Sequence, residues 1–133
     1  LSEGEIRAEL ASSPEAIRSV TGKAVTLFRP PYGDYDDLLV DTAADMGLLT
    51  VQWDVDSLDW KDLSAQQIAE RVIAQTKKGS VILCHNNGLH TAEALPIILD
   101  ALKAKGFEFV PVGELVYREN FTIDRAGRQH PNG

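Results

Sequence analysis

Three short stretches of the sequence contain residue types that could carry out acid–base chemistry. They are Phe28–Gly33 with Arg29, Asp56–Trp60 with Asp59, and Ile82–Asn86 with His85. A histidine can transfer a proton near neutral pH when a carboxylate orients its second ring nitrogen. An arginine can hold a carboxylate through its planar fork of donors. If the three stretches meet in space, they predict a hydrolase site.

Each of these stretches follows or ends a run of residues that is typical of a β-strand. The predicted strands are 25–28, 49–53 and 81–84, and helical patterns of about ten to fifteen residues separate them. Strands that alternate with helices pair in parallel through crossover connections. Because ligands collect beyond the carboxyl ends of parallel strands, we expect Arg29, Asp59 and His85 at one rim of one sheet. The predicted fold class is α/β.

Local signals place the ends of the predicted helices. Capping boxes open a first helix at Ser2 and a third helix at Ser64. Pro14 is expected to kink or divide the first helix, and Thr91 is expected to cap the fourth. The other predicted elements are a second helix from about Leu38 to Gly47, a strand over 107–110, a last helical turn over 113–117, and a loop or extended tail from Asn120.

The length and composition of the chain limit the classes of protein that it could represent. A chain of 133 residues predicts one domain. Four predicted strands and four helices cannot close an eight-unit barrel, so the sheet is either open or part of a larger barrel. A net charge of −7 argues against nucleic-acid partners. No apolar run approaches the ~20 residues that a membrane span needs.

The acidic run from Asp54 to Asp62 allows two interpretations besides a metal loop. A calcium-binding EF-hand is rejected because its sixth position would be Asp59 instead of glycine, and its twelfth would be Ala65 instead of glutamate. Asp59 followed by Trp60 indicates a carboxylate shielded by an indole, where a low dielectric strengthens its hold on an imidazole. The alternative is a solvated acidic turn.

Other polar residues have structural alternatives that stay open at this point. The Pro30–Pro31 pair would stiffen the backbone N–H groups that follow it, as an oxyanion hole requires, but it is equally typical of a tight turn. Cys84 ends an apolar run and is expected to be a buried, inert thiol. His90 and His130 are expected to be surface residues.

The three stretches, in this order, resemble motifs of the polysaccharide deacetylases of carbohydrate esterase family four. Arg29–Gly33 is similar to the third motif of the family, Asp56–Trp60 to the fourth and Ile82–His85 to the fifth. The segment 91–115 is similar to the closing helix and strand of members that modify bacterial peptidoglycan. Residues 1–133 are therefore interpreted as the C-terminal portion of such a catalytic domain, with a polar tail from about residue 120.

The resemblance implies a distorted (β/α) barrel, incomplete in this chain, that hydrolyses N-acetyl groups on a polysaccharide such as peptidoglycan or a chitin-like polymer. It implies a divalent metal, expected to be zinc, and an extracellular or cell-envelope location. His85 would be the general acid that protonates the leaving amine, Asp59 would orient and tune it, and Arg29 would hold the catalytic base. The backbone N–H of Tyr32 would help to bind the oxyanion.

The same resemblance implies that Trp60 and Leu83 line the substrate pocket. Two motifs of the family have no counterpart in the sequence, however: a Thr-Phe-Asp-Asp-like motif that supplies the base and a metal-binding aspartate, and a His-x-x-x-His-like motif that supplies the metal histidines. We therefore expect the metal ligands to lie outside this chain, which would be inactive alone, and the N-terminal part of the domain to be a separate chain.

Two other classes of protein are weighed against this interpretation. A non-catalytic glycan-binding or structural module could have the same fold without the metal. A receiver-type phosphate-binding domain could use the acidic run to hold a magnesium ion, but no lysine that could contact phosphate follows a later predicted strand.

Overall fold

The computed structural model describes residues 1–132, and its helices and strands confirm the predicted α/β class. The helices are α1 Glu3–Thr21, α2 Asp37–Asp45, α3 Ala65–Gln75, α4 Thr91–Ala104 and α5 Val112–Leu115. The strands are β1 Leu27–Phe28, β2 Leu49–Thr50, β3 Val55–Asp56, β4 Ile82–Leu83, β5 Phe121–Ile123 and β6 Gln129–Pro131. The chain divides into two compact units, one formed by 1–52 with the segment from residue 117, and one formed by 53–116.

The first unit is organised around the parallel pair β1–β2. Leu27 lies opposite Leu49 and Phe28 opposite Thr50, and the buried core of this unit consists of Ile6, Leu10, Ala43 and Leu48. The predicted capping box at Ser2 is present, because Ser2 Oγ accepts the N–H of Glu5 and the Glu5 carboxylate accepts the N–H of Ser2.

Pro14 does not divide the first helix, since α1 runs through it from Glu3 to Thr21, and a kink at Pro14 stays a prediction. Proline removes only one i→i−4 hydrogen bond, and the turns on either side of it keep theirs. The helix ends where predicted, at Gly22, which has φ 72° and donates its N–H to the carbonyl of Arg18. Glycine adopts this left-handed conformation without steric cost.

The second unit is organised around the parallel pair β3–β4 with helices α3 and α4. Val55 lies opposite Ile82 and Asp56 opposite Leu83. Ser64 forms the predicted capping box at the start of α3. The core of this unit is a cluster of buried residues from the strand and both helices: Val55, Ile68, Ala69, Val72, Ala94, Ile98 and Leu102.

The strand predictions need two corrections. The predicted strand 49–53 ends at Thr50, and a separate strand, β3, begins at Val55, so the expected strands are distributed over two pairs instead of one sheet. The segment 107–110 is not a strand, although its apolar residues line a cavity of about 320 Å³ beside Ile82 and Leu95. The tail beyond Asn120, expected to be loop or extended, contains the extended strands of an antiparallel hairpin, β5–β6.

Candidate active site

Asp59 and His85 lie just beyond the ends of the adjacent strands β3 and β4. The ladder between the two strands continues one step further, because the N–H of Ser57 donates to the carbonyl of Leu83 at 3.0 Å. Since the strands are parallel, the segments that follow them leave the pair at the same edge. This register brings the two side chains together.

The Asp59 carboxylate contacts both the ring and the backbone of His85. Its Oδ1 lies 2.7 Å from His85 Nδ1, and the backbone N–H of His85 donates to Oδ1 at 3.1 Å and to Oδ2 at 3.0 Å. The hydroxyl of Thr91 donates to Oδ2 at 2.6 Å. The side chain of Asp59 is fully buried, so these donors replace the water that would otherwise solvate its charge.

The environment of Asp59 keeps its carboxyl group ionised. Burial desolvates the group and by itself would raise its pKa, but hydrogen bonds from Thr91, from the backbone and ring of His85 and from Ser57 together outweigh that effect, so the pKa lies below its ordinary value. An ionised carboxylate only accepts hydrogen bonds. The nitrogen that faces it, His85 Nδ1, therefore carries a proton, and Nε2 is the ring nitrogen that remains for a ligand.

Acidic and aromatic groups complete the surroundings of His85. Asp56 Oδ1 lies 3.9 Å from Nδ1. The Trp60 ring stands edge-on to the imidazole, with 6.5 Å between ring centroids and 72° between planes, and it is 58% exposed. Lys61 Nζ lies 5.4 Å from the centroid of the indole. The imidazole thus has a carboxylate on one side and an accessible apolar surface on another.

Leu83 and Cys84 are consecutive residues that differ in burial. Leu83 is buried in the second unit, and the next residue, Cys84, is exposed. The prediction of a buried thiol is therefore wrong, because successive side chains of a strand point to opposite faces. Partial burial still raises the pKa of the Cys84 thiol, which disfavours the thiolate that a nucleophile would need.

The stretch with Arg29 and Tyr32 belongs to the first unit, where it forms a tight turn. Arg29 is exposed and Pro30 is fully buried. The hydrogen bonds of the turn run from the N–H groups of Gly33 and Asp34 to the carbonyls of the two prolines, and they do not use the N–H of Tyr32. Gln52 Nε2 donates to the Gly33 carbonyl at 2.6 Å and holds the turn against the residues that follow β2.

Left-handed backbone conformations occur in or next to all three of the predicted stretches. Among the described residues other than glycine, Tyr32, Leu58, Asn87 and Asn120 have positive φ, between 54° and 61°. This conformation costs about 1–2 kcal/mol in a residue with a Cβ, and such strain concentrates at functional sites. Tyr32 and Leu58 lie within the first and second predicted stretches, and Asn87 directly follows the third.

The structure thus places the predicted site residues in two groups. Asp59, Trp60, Leu83 and His85 belong to the second unit, where Asp59 and Trp60 lie against His85. Arg29 and Tyr32 belong to the first unit, and their meeting with His85 stays a prediction, as do the catalytic roles of all six residues.

Sequence reasoning missed one member of the site. Thr91 was expected to cap α4, but the N-cap residue is His90, and Thr91 is the first residue of the helix. Its hydroxyl donates to Asp59 instead. No local pattern indicates this role, since the partner lies 32 residues away. His130, expected at the surface, is exposed and contacts Asp124 at 2.8 Å.

The site does not have the composition of a metal centre. Across residues 1–132, no group of three or more histidine, cysteine, aspartate and glutamate side chains is arranged to hold a metal ion. The described residues alone therefore do not form the metal site that the resemblance implies, and the location of its ligands outside this chain stays a prediction. In the same residues, no helix combines the length and the apolar character needed to cross a membrane.

Comparison with known proteins identifies the relatives of the chain. The family model for polysaccharide deacetylases matches residues 1–51. A peptidoglycan-N-acetylglucosamine deacetylase of Listeria monocytogenes is 34% identical over 91% of this chain and 25% of its own length. One from Bacillus cereus is 36% identical over 83% of this chain and 42% of its own length.

A solved structure has a similar fold. A pseudoenzyme of the CE4 family from Bacillus anthracis superposes with a TM-score of 0.81 at 33% identity, over 86% of this chain and 41% of that one. A mutant of that protein has restored enzymatic activity. This chain spans between a quarter and about two-fifths of the length of the two curated relatives described above.

The fold and the site together define a class of α/β proteins with a carboxylate-supported histidine at the carboxyl ends of parallel strands. Within that class, the chain belongs to the polysaccharide deacetylase family, carbohydrate esterase family four.

Proposed function

We propose that this chain contributes the general acid and part of the substrate pocket to a metal-dependent polysaccharide N-deacetylase. The observation that carries the proposal is the 2.7 Å contact between the buried Asp59 carboxylate and His85 Nδ1. The names of the relatives support peptidoglycan, an N-acetylated cell-wall glycan, as the substrate. A chitin-like polymer is the second proposed substrate. They also support a location in the cell envelope.

In the proposed reaction, His85 supplies a proton at Nε2. With Nδ1–H bonded to Asp59, the protonated ring presents Nε2–H to the departing nitrogen of the amide. After the base has taken a proton from a water and the oxygen of that water has bonded to the amide carbonyl carbon, transfer of the Nε2 proton to the amide nitrogen lets the C–N bond break. The amine and acetic acid leave, and the ring returns to its neutral form. Asp59 stabilises the protonated ring by charge and fixes its orientation.

Four other residues have proposed supporting roles. Trp60 and Leu83 would form apolar walls for the acetyl methyl group, and the exposed indole beside His85 is placed for that purpose. The Tyr32 N–H, which the hydrogen bonds of its turn leave unused, would stabilise the oxyanion. Arg29 would hold the carboxylate of the base.

The metal ligands and the base are proposed to come from an N-terminal part of the domain that lies outside residues 1–133. Supply of that part as a separate chain stays a prediction. Intact-mass measurement of the protein isolated from its host tests it: a companion polypeptide of about half a domain supports it, and a single species of 133 residues contradicts it.

A non-catalytic role is the second candidate function. It is favoured by the similarity to a CE4 family pseudoenzyme. Such a module would bind glycan through the surface around His85 and Trp60 without turnover.

An assay of amine release from N-acetylglucosamine oligomers, with zinc and the N-terminal part supplied, separates the two functions. Turnover that falls by about 10²–10⁴-fold in His85→Ala supports the general-acid role. The matched control is His130→Ala, which removes an exposed histidine from the β5–β6 hairpin and should leave turnover unchanged. Equal turnover in His85→Ala and wild type would exclude His85 as the acid, and glycan binding without turnover in the complete assembly would favour the module.

A further inference from the structure

Thr91 lies at the N-terminus of α4, where its hydroxyl could have capped the helix. It is the first residue of α4, and the N-cap residue before it, His90, makes no side-chain capping bond. A side-chain cap is worth about 0.5–2 kcal/mol to a helix. The Thr91 hydroxyl nevertheless donates to Asp59 Oδ2 at 2.6 Å, so its hydrogen bond goes to the candidate active site.

The bond from Thr91 acts on the orientation of the carboxylate. Oδ1 of Asp59 faces His85 Nδ1 at 2.7 Å, and Oδ2 faces the Thr91 hydroxyl. Because the side chain is fully buried, a twist of the carboxylate plane away from these donors would leave the His85 ring and the Thr91 hydroxyl without a well-aligned acceptor. Thr91 therefore helps to fix the carboxylate plane in which one oxygen receives the proton of the imidazole.

Gly88 keeps this arrangement free of obstruction. A Cβ atom built at Gly88 would collide with Thr91 Oγ1 and would lie 3.2 Å from both Asp59 Oδ2 and the Asp59 carbonyl oxygen. Any side chain at position 88 must therefore displace the hydroxyl, the carboxylate or the loop. The restriction is one of space.

We propose that Thr91 is a positioning residue for His85, acting through Asp59, and that Gly88 provides the space in which it acts. Thr91 holds the carboxylate so that the proton of the neutral imidazole stays on Nδ1 and Nε2 stays available to the substrate. This inference rests on the proposed role of His85 in catalysis. The other groups that face the ring, Asp56 at 3.9 Å and the edge of Trp60, do not contact Asp59 Oδ2 in this way.

Nitrogen NMR of the 133-residue chain, labelled with ¹⁵N-histidine, tests the proposal without any activity. At a pH where the imidazole is neutral, the ring ¹⁵N shifts distinguish a proton on Nδ1 from one on Nε2. We expect Nδ1–H in the wild type, a shift toward Nε2–H in Thr91→Val, which has the same shape without the hydroxyl, and recovery in Thr91→Ser. Gly88→Ala should resemble Thr91→Val.

Wild-type ring shifts in a folded Thr91→Val variant would overturn the proposal. Should that variant fail to fold, Thr91→Ala and Gly88→Ala are measured in the same way, and wild-type shifts in either overturn it. In the complete enzyme, Thr91→Val should lower kcat about tenfold with little change in KM, and Thr91→Ser should restore it. Failure of the general-acid role would appear as full activity in His85→Ala, whatever the NMR result.

Discussion

Asp59 holds His85 by its ring and by its main chain at once, with 2.7 Å to Nδ1 and with the backbone N–H bonded to both carboxylate oxygens. The carboxylate is buried, and the hydroxyl of Thr91 is bonded to it as well. One acidic side chain therefore fixes the loop after β4, the orientation of the imidazole and the start of α4. Its removal should disturb stability as well as chemistry.

Replacement of Asp59 by alanine should destabilise the chain strongly. The backbone N–H of His85 and the hydroxyl of Thr91 would lose their acceptor, and each such loss costs about 1–3 kcal/mol in a buried site. We expect the free energy of unfolding, measured by urea denaturation, to fall by about 2–5 kcal/mol. The control is Asp62→Ala, an exposed aspartate of the same acidic run, which should change it by less than about 0.5 kcal/mol. Equal stability of the two variants would contradict the importance of the network.

Stability should depend on acid pH in a way that can be traced to Asp59. Its folded-state pKa is lowered, so the stabilisation is fully present above the unfolded value of about 3.9 and is lost as pH falls through the folded-state pKa. Urea unfolding between about pH 5 and pH 2 should show a steeper loss for wild type than for Asp59→Asn, which cannot titrate. Parallel curves for the two proteins would assign the acid sensitivity to other carboxyl groups.

Asn87 offers a direct test of backbone strain beside the site. It has φ 61° and is exposed, so its side chain has little burial to lose. Asn87→Val should lower the free energy of unfolding by about 1–2 kcal/mol, because a Cβ-branched residue is poorly tolerated in the left-handed region. Asn86→Val, at a neighbouring exposed position without positive φ, is the matched control. If both variants have wild-type stability, the loop after β4 does not depend on the conformation of Asn87.

Trp60 should contribute to substrate binding more than to the chemical step. Its indole is 58% exposed beside His85, where it can contact an acetyl group or a sugar face. In the complete enzyme, Trp60→Ala should raise KM for N-acetylglucosamine oligomers by about 2- to 12-fold, the equivalent of about 0.5–1.5 kcal/mol for an aromatic contact. Trp60→Phe, which keeps an aromatic surface, should recover most of the affinity. A fall in kcat at constant KM would instead indicate a role in positioning His85.

The features that depend on local sequence patterns could be predicted from the sequence alone. The capping boxes at Ser2 and Ser64 and the stop at Gly22 appear as predicted, because each is set by residues within one or two turns of the chain. The α/β class followed from alternating periodicity. The motif order around Asp59 and His85 carried the family resemblance.

Features that depend on distant neighbours were predicted less well. The segment 107–110, in which Glu108 separates apolar residues, forms no strand. A strand exists only where another strand accepts its hydrogen bonds, and the local sequence does not specify that neighbour. Cys84 was misplaced because its face of the strand could not be deduced from an unbroken apolar run. The hydroxyl of Thr91 was assigned to a local cap, because its true acceptor is far away in the sequence.

The backbone part of the Asp59–His85 contact has a consequence for how this fold can evolve. Every amino acid except proline carries the N–H that donates to Asp59, so mutation can erase the imidazole while the loop keeps its anchor. A homologous protein can in this way lose its catalytic activity and retain its fold. Such a descendant would retain the fold and lose only the chemistry of the histidine ring.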